Sequence, residues 1–300
     1  MKVLDPITVT DANLVSSTAT EDDAPLWNAG TTYVKGNRVI STTTHRVYQS
    51  AVNDNIGINP DGDTAGVAWL IVGATRKWRA FDASVGEKTV HTGLLSYRVT
   101  VPKLVNAVAL LRLSAFKVRV QVVGTDGSFT YDRTRELGDF SEIVDALTMV
   151  TVEPIGADFA AFEDFAALPG QDVIISIGAA GLLSEVGEVL IGQAKVIGTT
   201  LSDTGIGLDD YSRKDRDEFG NVSIVPRTFS DTTDFRVALP TQNAKRIRKL
   251  FASLRAKPAL YYDDVEDQFG TAVYGFFKDF DLPLESQGIS FANIDIEGLT

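Results

Sequence analysis

The chain has 300 residues, a formal net charge of −12 and a sequence pI near 4.7, long enough for two or three domains. An acidic balance of this size argues against a nucleic-acid backbone as partner, because binding phosphates requires clustered Lys and Arg. Cysteine is absent, which excludes disulfides and thiolate metal sites, and neither a run of roughly 18 apolar residues nor an apolar stretch behind Met1-Lys2-Val3-Leu4-Asp5-Pro6 signals a membrane span or a secretory leader. The expectation is a soluble protein made in the cytoplasm, without membrane insertion and without a cofactor.

In chain order, residues 1–24 carry Thr, Ser, Asp and Ala with scattered apolar positions. They read as an extended arm with one strand at Ile7-Thr8-Val9, too poor in apolar surface to order alone. Residues 25–76 form a small aromatic module. Trp27, Tyr33, Gly36, Val39 and Tyr48 follow the spacing W-x5-Y-x2-G-x2-V-x8-Y, with turn residues at Asn28-Ala29-Gly30 and Gly36-Asn37, and Pro60 and Trp69 closing the segment. A segment this small without cysteine needs its aromatics as core, Trp27 and Tyr33 first, while Trp27, Tyr48 and Trp69 are the candidates for a ring left outside to stack on sugar. The loop 53–63, with Asn53, Asp54, Asn55, Asp61 and Asp63, reads as an Asx-rich turn or as hard oxygen ligands for calcium.

From residue 77 to 198 the pattern lengthens into a β-sandwich. Phe116, Val118, Val120 and Val122 alternate with Lys117, Arg119 and Gln121, the period of a half-buried strand, and apolar runs recur at 97–101, 105–111, 149–152, 173–177 and 186–197. Residues 199–300 read as a β-rich assembly domain: a polar, flexible stretch 202–207, a mixed-charge run from Asp209 to a turn at Phe219-Gly220-Asn221, and strands at 222–225, 235–239, 260–262, 273–277 and 291–296. One helix interrupts them, with Ile247, Leu250, Phe251 and Leu254 on one face, Lys245, Arg246, Arg248, Lys249 and Arg255 on the others, Thr241 as N-cap and Pro258 as stop.

Enzyme constellations are missing. His45 and His91 fall in different segments with no G-x-S-x-G elbow, and His45, between Thr44 and Arg46, reads as a solvated turn residue. Gly205-Ile206-Gly207 lacks the third glycine of a dinucleotide loop, and Asp215 to Gly220 fails as a calcium hand because Phe219 and Pro226 stand at ligand positions. Acidic pairs such as Asp263-Asp264 are ordinary surface in an acidic chain, so a glycan hydrolase has no recognisable acid/base pair. Arg213, Lys214 and Arg216 against Asp209, Asp210, Asp215 and Asp217 are candidate assembly contacts, where opposite charges set register at a subunit boundary. Arg246 and Lys249 on the helix join them, facing an acidic partner.

The aromatic spacing of 27–48 resembles small chitin- and cellulose-binding modules, and the order Trp78, Phe81-Asp82, a polar turn at 124–128 and a late Ile-rich strand resembles galactose-binding-like jelly rolls. More widely, that module followed by Lys77-Trp78-x-x-Phe81-Asp82, Asp210-Tyr211-Ser212-Arg213-Lys214, Glu218-Phe219-Gly220-Asn221, Tyr274-Gly275-Phe276-Phe277-Lys278-Asp279-Phe280 and Ile296-Glu297-Gly298-Leu299-Thr300 looks like a family of tailed-bacteriophage tail-tip structural proteins. The resemblance implies a mainly β chain whose last segment is similar to tail-tube or hub domains. It implies a non-enzymatic virion component of tail tip, distal tail or baseplate, with copies of itself, other phage tail proteins and host surface polysaccharide as partners. The alternative is a lectin-like module whose main task is recognising bacterial surface polysaccharide.

Overall fold

A computed structural model describes residues 1–84, 86–139, 155–216, 218–284 and 288–299. The chain is mainly β, with one α-helix among the described residues. Its frame is one curled, ten-stranded sheet in the order Phe159–Phe162, Ala107–Leu111, Glu188–Val196, Lys2–Pro6, Ala259–Tyr262, Val273–Asp281, Ile289–Gly298 and Phe229–Pro240, whose far side pairs with both Thr199–Thr200 and Gly205–Asp210. All pairings between these strands are antiparallel. The run expected at 149–152 lies outside the described residues.

The first residues are therefore not an arm. Lys2–Pro6 sits in mid-sheet, hydrogen-bonded to Glu188–Val196 on one side and Ala259–Tyr262 on the other, and it ends where Ile7-Thr8-Val9 was expected to begin a strand. Val3 and Leu4 are fully buried, on opposite faces. A second strand, Leu14–Ser17, takes the edge of a five-stranded sheet completed by Leu95–Thr100, Asp172–Ile177, Lys117–Val123 and Phe129–Glu136.

Register explains how the layers stack. Val3 stands opposite Lys195 and Tyr261, and Lys195 shares its face with Val189 and Ile191, so one face of the large sheet is continuous across both halves. Over the first half it is covered by the five-stranded sheet, with Tyr97, Val99, Val120, Val173 and Ile175 against Val108, Leu110, Val189 and Ile191. This is the sandwich. Over the second half the same face is covered by the helix Ala244–Leu254, whose Ile247, Phe251 and Leu254 bury against Tyr261, Phe235, Val237 and Ile294. The opposite face, Leu4, Leu190, Leu260, Tyr262, Phe159 and Tyr274, forms a third core, against which Val265, Ala272 and Leu299 pack. One sheet thus crosses the boundary expected near residue 198.

The helix begins after a short 3-10 turn, Thr241–Asn243, with Asn243 at its N-cap and no side-chain cap. Thr241, the expected cap, instead places its hydroxyl 2.9 Å from that of Ser290. Leu254 and the left-handed Ala256 (φ 59°) end the helix two residues before Pro258. The aromatic module is a separate three-stranded sheet, Arg38–Ser41, Arg46–Ser50 and Trp69–Ala74.

Candidate interaction surfaces

The module's rings are core. Trp69 is 1% exposed, meets Tyr33 edge-to-face at 5.2 Å and donates its indole N–H to the Ile58 carbonyl at 2.9 Å. Tyr48 is 3% exposed and its hydroxyl donates to Asp61 at 3.1 Å. Neither ring has a free face for a sugar, so the stacking role expected of Tyr48 and Trp69 is corrected. Trp27 is half-buried against the same cluster, and its indole nitrogen is buried with no acceptor. The small domain uses its large side chains to exclude water from its interior.

Two acids of the 53–63 loop, Asp61 and Asp63, are also engaged. Asp61 accepts from Ser41 at 2.6 Å, Thr44 at 2.8 Å and Tyr48. Burial pushes its carboxyl up, but those three hydroxyls and Arg46 together hold it below its usual value. Asp63 accepts the amides of Ala68 and Trp69, each at 2.7 Å, and these bonds lower its pKa. The carboxylates close the loop onto the module, and no cluster of three or more metal-ligating side chains occurs among the described residues.

His45 is not a solvated turn residue. Its ring stacks on Trp78 at 4.2 Å, and its two nitrogens lie 2.8 Å from Glu21 and 2.8 Å from Asp11. With Glu21 bonded to Thr75, and Asp23 to Arg79 and the Arg76 amide, this clamp ties the module to the sandwich. The left-handed backbone of His45 (φ 55°) ends a hairpin there.

Among the described residues, two exposed surfaces carry the expected contact residues. The first is a long ribbon: Gly205–Asp210 pairs with the start of Phe229–Pro240, and beyond it Arg213–Arg216 pairs only with Val222–Val225. Every residue of these three shorter strands is exposed. Val222 stands opposite Arg216 and Ile224 opposite Lys214, so one face of the distal ribbon carries two β-branched side chains flanked by the stems of two expected contact residues. Arg213 pairs with Asp215 at 2.7 Å and Lys214 with Asp210 at 3.6 Å. At the tip, before the left-handed Gly220, Phe219 is 89% exposed.

The second is a groove of about 870 Å³ beside the helix. Ala244, Ala252, Phe280, Leu282 and Leu284 make its apolar surface, with Phe280 stacked on Phe251 at 4.4 Å, and Lys245, Arg248 and Lys249 stand around it. Among the described residues none of Lys245, Arg246, Arg248 and Lys249 has a carboxylate partner; Arg246 reaches only the Val196 carbonyl at 3.5 Å. Arg213, Lys214 and Arg216 therefore lie on the ribbon and Arg246 and Lys249 on the helix, two separate places. The apolar members, Phe219, Val222 and Ile224 on one and Phe280, Leu282 and Leu284 on the other, were missed as contacts. The i, i+2, i+4 alternation of Phe280-Asp281-Leu282-Pro283-Leu284 is their sequence signal.

A third feature was not anticipated. Glu188, 2% exposed, lines a cleft of about 650 Å³ with Asp82, Tyr274, Lys103 and Lys257, and its Oε2 has no hydrogen-bond partner. Burial, then the neighbouring Asp82, pushes the Glu188 carboxyl up to about 9; burial likewise pushes Asp82 up to about 6. The backbone N–H of the left-handed Ala83 (φ 59°) partly opposes that rise. The signal was a lone acid inside the apolar run 186–197.

Compared with protein-family models, with curated proteins and with solved structures, the chain matches none.

Proposed function

We propose that this chain is a non-enzymatic structural subunit of a bacteriophage tail, in tail tip, distal tail or baseplate, that assembles with copies of itself and contacts other tail proteins. The observation that carries the reading is the ribbon. A two-stranded ribbon is marginal in water, and the distal strands of this one pair only with each other while Val222, Ile224 and Phe219 stay exposed. Covering such side chains contributes about 1.5–3 kcal/mol each, so the ribbon gains its stability from a partner surface. The resemblance of the motif order to tailed-phage tail proteins supports the virion setting, and the burial of Tyr48 and Trp69 favours this reading over a lectin whose main task is sugar recognition.

Replacing residues 212–227 by an Asn-Gly turn tests it. The shortened chain is expected to be monomeric by light scattering where the full chain forms oligomers, with an unchanged melting curve. A full chain that stays monomeric at high concentration, or a shortened chain that assembles equally well, contradicts the reading. Mass spectrometry of purified virions tests the tail assignment independently.

A further inference from the structure

The ribbon and the basic groove sit at opposite ends of one strand. Phe229, the first residue of Phe229–Pro240, pairs with Asp210, and the distal ribbon continues outward from that end. At the other end, Pro240 leads through a single turn directly into the helix that borders the groove. Twelve residues of strand at about 3.3 Å each separate the base of the ribbon from the groove by roughly 40 Å, which places plug and socket at opposite ends of one copy.

Their chemistry is complementary. The groove offers apolar Phe280, Leu282 and Leu284, the last 72% exposed, ringed by Lys245, Arg248 and Lys249, none of them paired with a carboxylate among the described residues. In a chain of net charge −12, cations left without carboxylates on one helix face mark a surface for an acidic partner. The ribbon tip offers an exposed phenyl ring directly after Glu218, in the sequence Asp215-Arg216-Asp217-Glu218-Phe219, where acids outnumber bases. An aromatic anchor entering an apolar socket, with charges of opposite sign at its rim, is the arrangement found at interface hot spots.

We infer that the ribbon tip of one copy docks in the helix groove of a second copy, with Phe219 against Phe280, Leu282 and Leu284, and Glu218 facing Lys245, Arg248 and Lys249. This rests on the self-assembly reading and specifies its geometry. Plug and socket are different surfaces, so the contact is heterologous: each copy gives one contact and receives one, and the assembly is a ring or an open stack with a direction. A two-fold dimer through this contact is excluded unless both sockets fill at once.

Two variants of the full chain test it. One carries a spoiled plug, Glu218→Lys with Phe219→Ser; the other a spoiled socket, Lys245→Glu with Arg248→Glu and Lys249→Glu. All five positions are on the surface, and melting curves matching the unmodified protein establish that both fold. Each variant alone is expected to be monomeric, its dissociation constant raised about thirtyfold or more, the ~2 kcal/mol of an aromatic or charged hot spot. Mixed, they retain one intact plug and one intact socket, and are expected to form a one-to-one dimer and nothing larger. If both variants assemble like the unmodified protein, or if the mixture stays monomeric, the docking is overturned while self-assembly stands. If the unmodified protein is itself monomeric, the self-assembly reading falls with it.

Discussion

Glu188 is the residue whose environment departs furthest from its chemistry. In the unfolded chain its carboxyl titrates near 4.5, whereas in the fold it holds its proton up to about 9. The folded state therefore binds a proton that the unfolded state releases between those values. The stability associated with it is fully present below pH 4.5 and is lost as pH rises toward 9; Asp82, raised to about 6, adds the same sign over its own narrower window. Glu188→Gln keeps the shape without the charge, and it is expected to flatten the decline in urea midpoint between pH 5 and pH 9 and to leave the protein on the order of a few kcal/mol more stable at the alkaline end. An unaltered pH profile in the variant would show that Glu188 ionises freely where it lies. At the same scale, Trp69→Ala is expected to cost about 3–5 kcal/mol of module stability, seen as a lower melting temperature, because it empties a site that is 1% exposed. Loss of polysaccharide adsorption with an unchanged melt would instead mean that the ring faces outward.

Among the elements, those whose partners are local or whose periodicity is strong were legible in the sequence, and the others were not. The alternation of Val118, Val120 and Val122 gives Lys117–Val123, and the spacing of Ile247, Phe251 and Leu254 gives the helix, because in each case the pattern itself records the buried face. Lys2–Pro6 has no such record: five residues ending in Asp-Pro become a central strand only because Glu188–Val196 and Ala259–Tyr262, both distant in sequence, form its two sides. The aromatic spacing of the module was legible as a fold signal but silent on which rings face inward. On the helix the cations were legible as an assembly surface, whereas the apolar groove beside them needed Phe280 and Leu282 brought from the end of Val273–Asp281 and the segment after it. Hydrogen exchange checks the corrected element. The amides of Lys2, Val3, Leu4 and Asp5 are expected to exchange in the monomer as slowly as those of Asp172–Ile177, since both strands lie inside sheets with neighbours on each side. Exchange as fast as that of a free terminus would restore the arm.

At the scale of the whole molecule, the large sheet makes the sandwich and the helix-covered half one mechanical body. Val3 contributes to the core under the helix, Leu4 to the core on the reverse face, and their strand carries the hydrogen bonds that join the halves. This continuity also bears on the proposed assembly, because Phe229–Pro240 joins the base of the ribbon to the sheet that both halves share. Four separable segments would behave differently: a defect in one would leave the others intact. Leu4→Ala distinguishes the two cases. Removing a fully buried leucine at the junction costs about 2–5 kcal/mol, and if the sheet is one cooperative unit that loss must appear in both halves at once. Exchange measured by mass spectrometry is expected to rise together in Leu95–Thr100 of the sandwich and in Ile289–Gly298 of the C-terminal half. Increased exchange confined to one of them would mean that the halves unfold independently and that the shared strand joins two domains.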